Sequence, residues 1–267
     1  MTRPIAFFDS GIGGVTVLHE ALRLMPDEDY IYYADTLNAP YGIREKHEVK
    51  KLVSDAVDFI VRKDVKAVVI ACNTATSAAV EDLRRLYSIP IIGMEPAVKP
   101  AVEKNGREHK RVIVTATPLT LKEEKLLNLI DRIDNEHIVD LLPLPDLVKF
   151  AERYEFSSGD VTEYLKEQFS GFTLEQYGTV VLGCTHFNYF KTVLSEILPS
   201  NIDIIDGNKG TVNNLRRIME NRGDPGCGFG KVEYYRSGEP VTESGEIEKM
   251  NMLLQFLSEQ KDKKTGI

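Results

Sequence analysis

Val68-Val69-Ile70-Ala71-Cys72-Asn73-Thr74 and Val180-Val181-Leu182-Gly183-Cys184-Thr185-His186 are two versions of one pattern. In each, an unbroken aliphatic run is followed by a small residue, a cysteine and hydrogen-bonding side chains. A run apolar at odd and even positions alike is a strand buried on both faces, as in a parallel sheet covered by helices. The chain therefore reads as two similar halves, each bringing a cysteine to the carboxyl end of a strand just ahead of a helix. Open α/β sheets place ligands there, because N–H groups at the helix start face the crevice. If the halves face one another, their cysteines meet across one cleft.

Working outward, further strands are expected at 5–8, 30–33, 67–71, 91–94, 111–115, 179–182, 202–205 and 232–235. Amphipathic stretches at 15–25, 45–62, 79–87, 121–130, 188–198, 211–221 and 245–257 predict helices. This alternation gives an α/β fold of right-handed βαβ units, with doubly wound parallel sheets. Pro26, Pro90, Pro118, Pro143, Pro145 and Pro199 read as punctuation at the ends of elements. The charged end, 259–267, has no apolar face and is expected to fray.

A chain of 267 residues, 42% of them hydrophobic, can build one large or two small cores, which argues against disorder. The net charge of −8 argues against a nucleic-acid partner, since binding a phosphate backbone needs clustered Lys and Arg. The apolar stretch after Met1-Thr2-Arg3-Pro4 is too short for a signal peptide, and no run approaches membrane-spanning length. No membrane association and a cytoplasmic location are the expectations. Cys72, Cys184 and Cys227 are too few for a disulfide framework and lack metal-ligand spacing, so no metal is expected.

A lone cysteine ending an apolar strand is ordinarily a small buried hydrophobe. Two in matching contexts are hard to explain as packing. A helix N-terminus lowers a thiol's pKa, so one site could hold a thiolate and a thiol, the requirement for two-base proton transfer. Cys227, between Gly226 and Gly228, lacks that context. Asp9-Ser10-Gly11-Ile12-Gly13-Gly14 ends the first strand in a turn that lets backbone approach a ligand. It lacks the Walker lysine and does not fit G-x-G-x-x-G, so no nucleotide is implied. Asp9 could bind an ammonium group or orient a base. Pro40-Tyr41-Gly42 lies in a long loop at the same end of the sheet and is either a ligand contact or a turn with an aromatic anchor. Thr117 and Thr120 offer hydroxyls or an ordinary helix cap. His186, two residues after Cys184, is placed to tune that thiol or to protonate nearby groups.

Phe8-Asp9-Ser10-Gly11-Ile12-Gly13-Gly14, Pro40-Tyr41-Gly42, Cys72-Asn73-Thr74-Ala75 and Gly183-Cys184-Thr185-His186 together resemble the signature segments of the glutamate racemase family. The resemblance spans nearly the whole chain. It implies two pseudo-symmetric doubly wound lobes with the active site in the cleft between them. Residues 1–95 plus 207–267 would carry Asp9 and Cys72, and residues 96–206 would carry Cys184 and His186. It further implies no cofactor, whether pyridoxal phosphate, metal or nucleotide. Cys72 and Cys184 become the acid/base thiols, assisted by Asp9 and His186. Asp9, Ser10, Pro40, Tyr41, Gly42, Asn73, Thr74, Thr117, Thr120, Thr185 and His186 become the glutamate-binding residues. The product, D-glutamate, would supply peptidoglycan. The chain departs from the family's usual pattern at Phe187-Asn188-Tyr189-Phe190, where an aromatic, a proline and leucines are more common.

Without a cofactor to delocalise a carbanion, such a site must stabilise charge through preorganised N–H groups and hydroxyls. No Lys or Arg lies within the cysteine motifs, so helix N-termini must supply positive potential to a dianionic substrate. Three rivals remain: a racemase of the same superfamily acting on aspartate or a hydantoin, a single-thiol Cys184/His186 enzyme, and a glutamate-binding regulator without turnover. A homodimer is the commonest assembly for such a chain.

Overall fold

In a computed structural model, residues 3–224 and 226–262 are described. The chain runs β1 (Ile5–Asp9), α1 (Val15–Leu24), β2 (Tyr30–Ala34), α2 (Lys46–Val61), β3 (Ala67–Ile70), α3 (Asn73–Leu86), β4 (Ile91–Gly93) and α4 (Val98–Glu108). It continues through β5 (Arg111–Ala116), α5 (Pro118–Lys122), α6 (Glu124–Ile133), β6 (Val139–Pro143), α7 (Pro145–Glu152), α8 (Gly159–Phe169), β7 (Tyr177–Leu182), α9 (Lys191–Ile197) and β8 (Asp203–Asp206). α10 (Asn208–Asn221), β9 (Val232–Arg236), β10 (Glu239–Pro240) and α11 (Ser244–Asp262) complete it.

The strands form two sheets. One has the order β10-β9-β2-β1-β3-β4 and the other β6-β5-β7-β8. All pairings are parallel except β10 with β9. The two-residue strand period divides the packing: Ile5, Phe7, Ala67 and Val69 face a core that includes α1, whereas Ala6, Phe8, Val68 and Ile70 face one built with α2 and α3. The first of these cores is continuous with Val180, Leu147 and Phe187 of the second half, so the halves share apolar packing. A third cluster lies between the second sheet and α4 and α6. Among the described residues no helix is long and apolar enough to cross a membrane.

Several elements differ from the sequence expectation. β6, α4, α7 and α8 were not anticipated, and α3 starts at Asn73 rather than Ala79. β6 is a partly exposed strand, Val-Asp-Leu-Leu-Pro, without a continuous apolar run, and Asp140 within it is paired to Arg111. Pro145 is not a break but the first residue of α7, where its missing N–H costs nothing. α8 is capped by Ser158, whose hydroxyl accepts from Val161 N. Residues 259–262 continue α11 rather than fraying, and 263–267 lie outside the described residues.

At the amino edge of the first sheet, opposite the cysteine, Lys66 is buried and paired with buried Glu28 at 2.7 Å, with Asp224 at 3.5 Å. Removing one partner would strand a buried charge. Lys66→Ala is expected to lower unfolding stability by about 3–5 kcal/mol in equilibrium denaturation, the scale for a broken buried pair.

Candidate active site

The register of the sheets assembles the site. Phe8 pairs with Ile70, so the turn after β1 lies beside the one after β3. Thr115 pairs with Leu182 in the second sheet, so the turns after β5 and β7 are likewise neighbours. All four are carboxyl ends of parallel strands, and side-chain hydrogen bonds join the two pairs.

In the first half, Cys72 is the N-cap of α3, and its Sγ accepts from Ala75 N at 3.4 Å. Ser10 Oγ lies 3.9 Å from the same sulfur. Asp9 has no exposed surface. Its Oδ1 accepts from Gly11 N and its Oδ2 from Thr185 Oγ1 of the second half, each at 3.0 Å.

In the second half, Cys184 precedes a 3₁₀ segment, Thr185–Phe190, not an α-helix, and its side chain makes no capping bond. Its Sγ is 3.8 Å from His186 Nδ1 instead. His186 Nε2 lies 2.7 Å from Glu152 Oε1, an oxygen that also accepts from Ile12 N at 2.9 Å. Gly13 lies directly on this group: a Cβ there would come within 2.4 Å of both His186 Nδ1 and Thr185 Oγ1.

The electrostatics of the two halves differ. Burial pushes the Cys72 thiol well up, and the nearby Asp9 charge pushes it further, against the Ala75 N–H. The lowering expected of a helix N-terminus is thus outweighed at Cys72, because desolvating a thiolate costs more than one N–H returns. Burial alone would lower His186, yet hydrogen bonds to Cys184 and Glu152 and their charges raise it well above the ordinary imidazole value. Burial acts to raise Glu152, but the His186 contact and Ile12 N–H hold it below its ordinary value. Both shifts run toward the charged forms, a carboxylate facing an imidazolium. Asp9 is raised by burial, partly offset by His186, Gly11 N and the Thr185 hydroxyl.

The other sequence candidates fall around this centre. Thr74 Oγ1 lies 3.1 Å from Thr117 Oγ1 and 3.0 Å from Thr120 Oγ1, which links α3 to the turn after β5. Thr117 also caps α5 through Thr120 N. Pro40 precedes the 3₁₀ turn Tyr41–Ile43, and Gly42 abuts Thr117 so closely that a Cβ would lie 2.4 Å from Thr117 Cβ. The Tyr41 hydroxyl is turned inward and donates to Asp35 Oδ2 at 2.5 Å, the aromatic-anchor alternative for that residue. Asp35 also accepts from Asn38 and Ser237. Asn73 is buried, and its Oδ1 has no hydrogen-bond partner among the described residues. Cys227 is exposed, in a separate segment.

Sequence reading missed Glu152 and Asp35. Glu152 ends α7, the helix hidden behind Pro145. Proline at N1, Asp146 in the first turn and apolar Leu147, Val148 and Ala151 were the available signal for that helix. Nothing in the sequence reveals that its last residue reaches His186.

Residues 14–215 match the model of the family described as Asp/Glu/Hydantoin racemase. The chain is 49% identical over 262 residues to glutamate racemase 2 of Bacillus subtilis, covering 98% of this chain and 99% of that protein. It is 53% identical over 237 residues to the glutamate racemase of Halothermothrix orenii, covering 88% and 93%. The fold matches the crystal structure of glutamate racemase from Francisella tularensis in complex with D-glutamate, with TM-score 0.80, 26% identity and coverage of 95% and 94%. It also matches the Escherichia coli glutamate racemase in complex with L-glutamate and the activator UDP-MurNAc-Ala, with TM-score 0.81, 27% identity and 95% of each chain covered.

The raised His186 pKa ties the stability of the fold to pH. A protonated imidazole with a folded pKa above its unfolded value stabilises the fold fully below about 6.5, and that contribution is lost as pH rises through the folded value. NMR titration of the His186 ring is expected to show a midpoint above 6.5, and Glu152→Gln is expected to bring it down.

Proposed function

The chain belongs to the Asp/Glu/hydantoin racemase family, and on that premise we propose that it is a cofactor-independent glutamate racemase working through two thiols. The observation that carries this reading is the pair of buried cysteines, Cys72 and Cys184, at strand ends from opposite halves whose turns are joined by the Thr185–Asp9 hydrogen bond. Their environments are complementary. Cys72 is held as a thiol, the form that delivers a proton. Cys184 faces His186 Nδ1 at 3.8 Å, a ring placed to stabilise negative charge on that sulfur before it takes a proton.

In one direction Cys184 removes the α-proton of glutamate and Cys72 protonates the opposite face; in the other the roles exchange. Asp9 and the unpartnered Asn73 Oδ1 suit the substrate ammonium, which would also offset the Asp9 charge that raises Cys72. Ser10, Thr74, Thr185 and the threonine cluster suit its carboxylates, together with N–H groups at the start of α3. Pro40, Tyr41 and Gly42 would shape the substrate pocket, with Tyr41 acting through its backbone. The two sheets with their helices serve as lobes, 1–95 plus 207–267 and 96–206, with the site between them. We assign the product to peptidoglycan supply, the location to the cytoplasm and the assembly to a homodimer.

One alternative has a specific observation behind it. Cys184, His186 and Glu152 line up as a nucleophile, base and orienting carboxylate, the arrangement of a single-thiol enzyme. Cys72 separates the two readings. With L-glutamate in D2O, NMR is expected to show loss of the α-proton signal and accumulation of D-glutamate. Cys72→Ser and Cys184→Ser are each expected to lower racemisation by about 100-fold or more, the scale of one acid/base group. Racemisation indifferent to Cys72→Ser would overturn the two-thiol reading.

A further inference from the structure

Tyr189 lies in the segment Phe187-Asn188-Tyr189-Phe190, all of which is buried. Its hydroxyl donates to Ile12 O at 2.8 Å, reaching from the second half into the loop after β1. Its ring stacks on Phe156, with centroids 4.6 Å apart and planes at 19°. Burial drives its pKa far up, so the phenol remains a donor.

The carbonyl that Tyr189 holds, which also accepts from Val15 N at 3.1 Å, belongs to the residue whose N–H, at 2.9 Å, reaches the Glu152 oxygen next to His186. Ile12 is thus gripped from the second half at both its polar atoms: Tyr189 takes the carbonyl and Glu152 the N–H. The adjoining Gly11 carbonyl is held from the first half by Tyr32 OH at 2.6 Å. The clearance is small. A Cβ on Gly11 would meet Glu152 Oε1 at 1.8 Å, and one on Gly13 would meet His186 Nδ1 at 2.4 Å. A shift of the loop by a fraction of an ångström therefore changes what Glu152 and His186 touch.

We propose that Tyr189 is a positioning residue, whose hydroxyl fixes the height of the loop 9–14 over Glu152 and His186 and so the alignment of the imidazole with Cys184. This rests on the racemase reading above. The groups that set the charge of the imidazole are Cys184 and Glu152, which touch it, and Asp9 across the half-to-half boundary. Arg236 also acts on Glu152, and Tyr32, Tyr154 and Tyr189 surround the carboxylates. Tyr189 acts through the Ile12 N–H and not by titrating.

Tyr189→Phe keeps the ring and its stacking while removing only the donor, and a melting curve checks that the fold persists. The expected result is a fall in kcat of about tenfold with KM within about twofold, the signature of a misplaced acid/base group. The His186 NMR midpoint is expected to shift from its wild-type position, because the Glu152 oxygen that meets His186 also accepts from Ile12 N. Phe156→Leu, which loosens the stack but leaves the hydroxyl, is the packing control and is expected to lower the melting temperature without moving that midpoint. A wild-type midpoint and kcat in Tyr189→Phe, or the same midpoint shift in Phe156→Leu, would overturn the proposal. Failure of the racemase reading would appear separately, as wild-type protein without racemisation, while the midpoint comparison would still test Tyr189.

Discussion

A carboxylate with no exposed surface has to be matched by donors, and the donors of Asp9 come from both halves of the chain: Gly11 N from its own turn and the Thr185 hydroxyl from the turn after β7. Breaking that match would leave a buried acceptor short of a partner, which costs more than the bond itself contributes. The second turn is thereby tied to the first, and Cys184 and His186 come with it. Thr16, on the next helix, donates to Thr185 O at 3.4 Å, and Asn208 donates to Thr16 at 3.0 Å, so the tie extends into α1 and α10. The Thr74–Thr117–Thr120 cluster and the Lys46–Glu123 pair at 2.5 Å likewise join α2 and α3 to the segment after β5. The candidate site is therefore also the joint of the molecule.

Much of this was legible in the sequence because burial leaves a strong mark. Strands apolar on both faces gave away the parallel sheets, and the repeated cysteine context gave away where their ends converge. Asp9, Cys72, Asn73, Thr74, Thr117, Thr120, Cys184, Thr185 and His186 all occupy strand ends or the helix starts after them, and the structure gathers them. Less legible were elements that are only half buried. β6 carries Asp140 in a partly exposed strand, and α7 opens with a proline that resembles a stop. Glu152 went unseen with α7, and its contact with His186 spans 34 positions that no local pattern connects. Tyr41 illustrates a different gap: the sequence places it in the right loop but cannot say which way the phenol turns, and Asp35 decides that from six residues upstream.

The near-repeat also conceals an inequality. Cys72 caps an α-helix of fourteen residues and receives an N–H from it, whereas Cys184 precedes a 3₁₀ segment that gives it no capping bond. A 3₁₀ segment aligns fewer peptide dipoles and offers a weaker positive end. In the second half the group beside the sulfur is His186, whose pKa is raised by its contacts with Cys184 and Glu152. The two thiols consequently sit in different electrostatic settings, one buried near the Asp9 carboxylate and the other against the His186 ring. Two-base chemistry needs one sulfur with a proton and one ready to take it, and a perfectly symmetric site would have no means of deciding which. Under the two-thiol proposal this broken symmetry gives the sulfurs different starting points, Cys72 held toward the thiol by burial and by the Asp9 charge, and Cys184 set against the His186 ring.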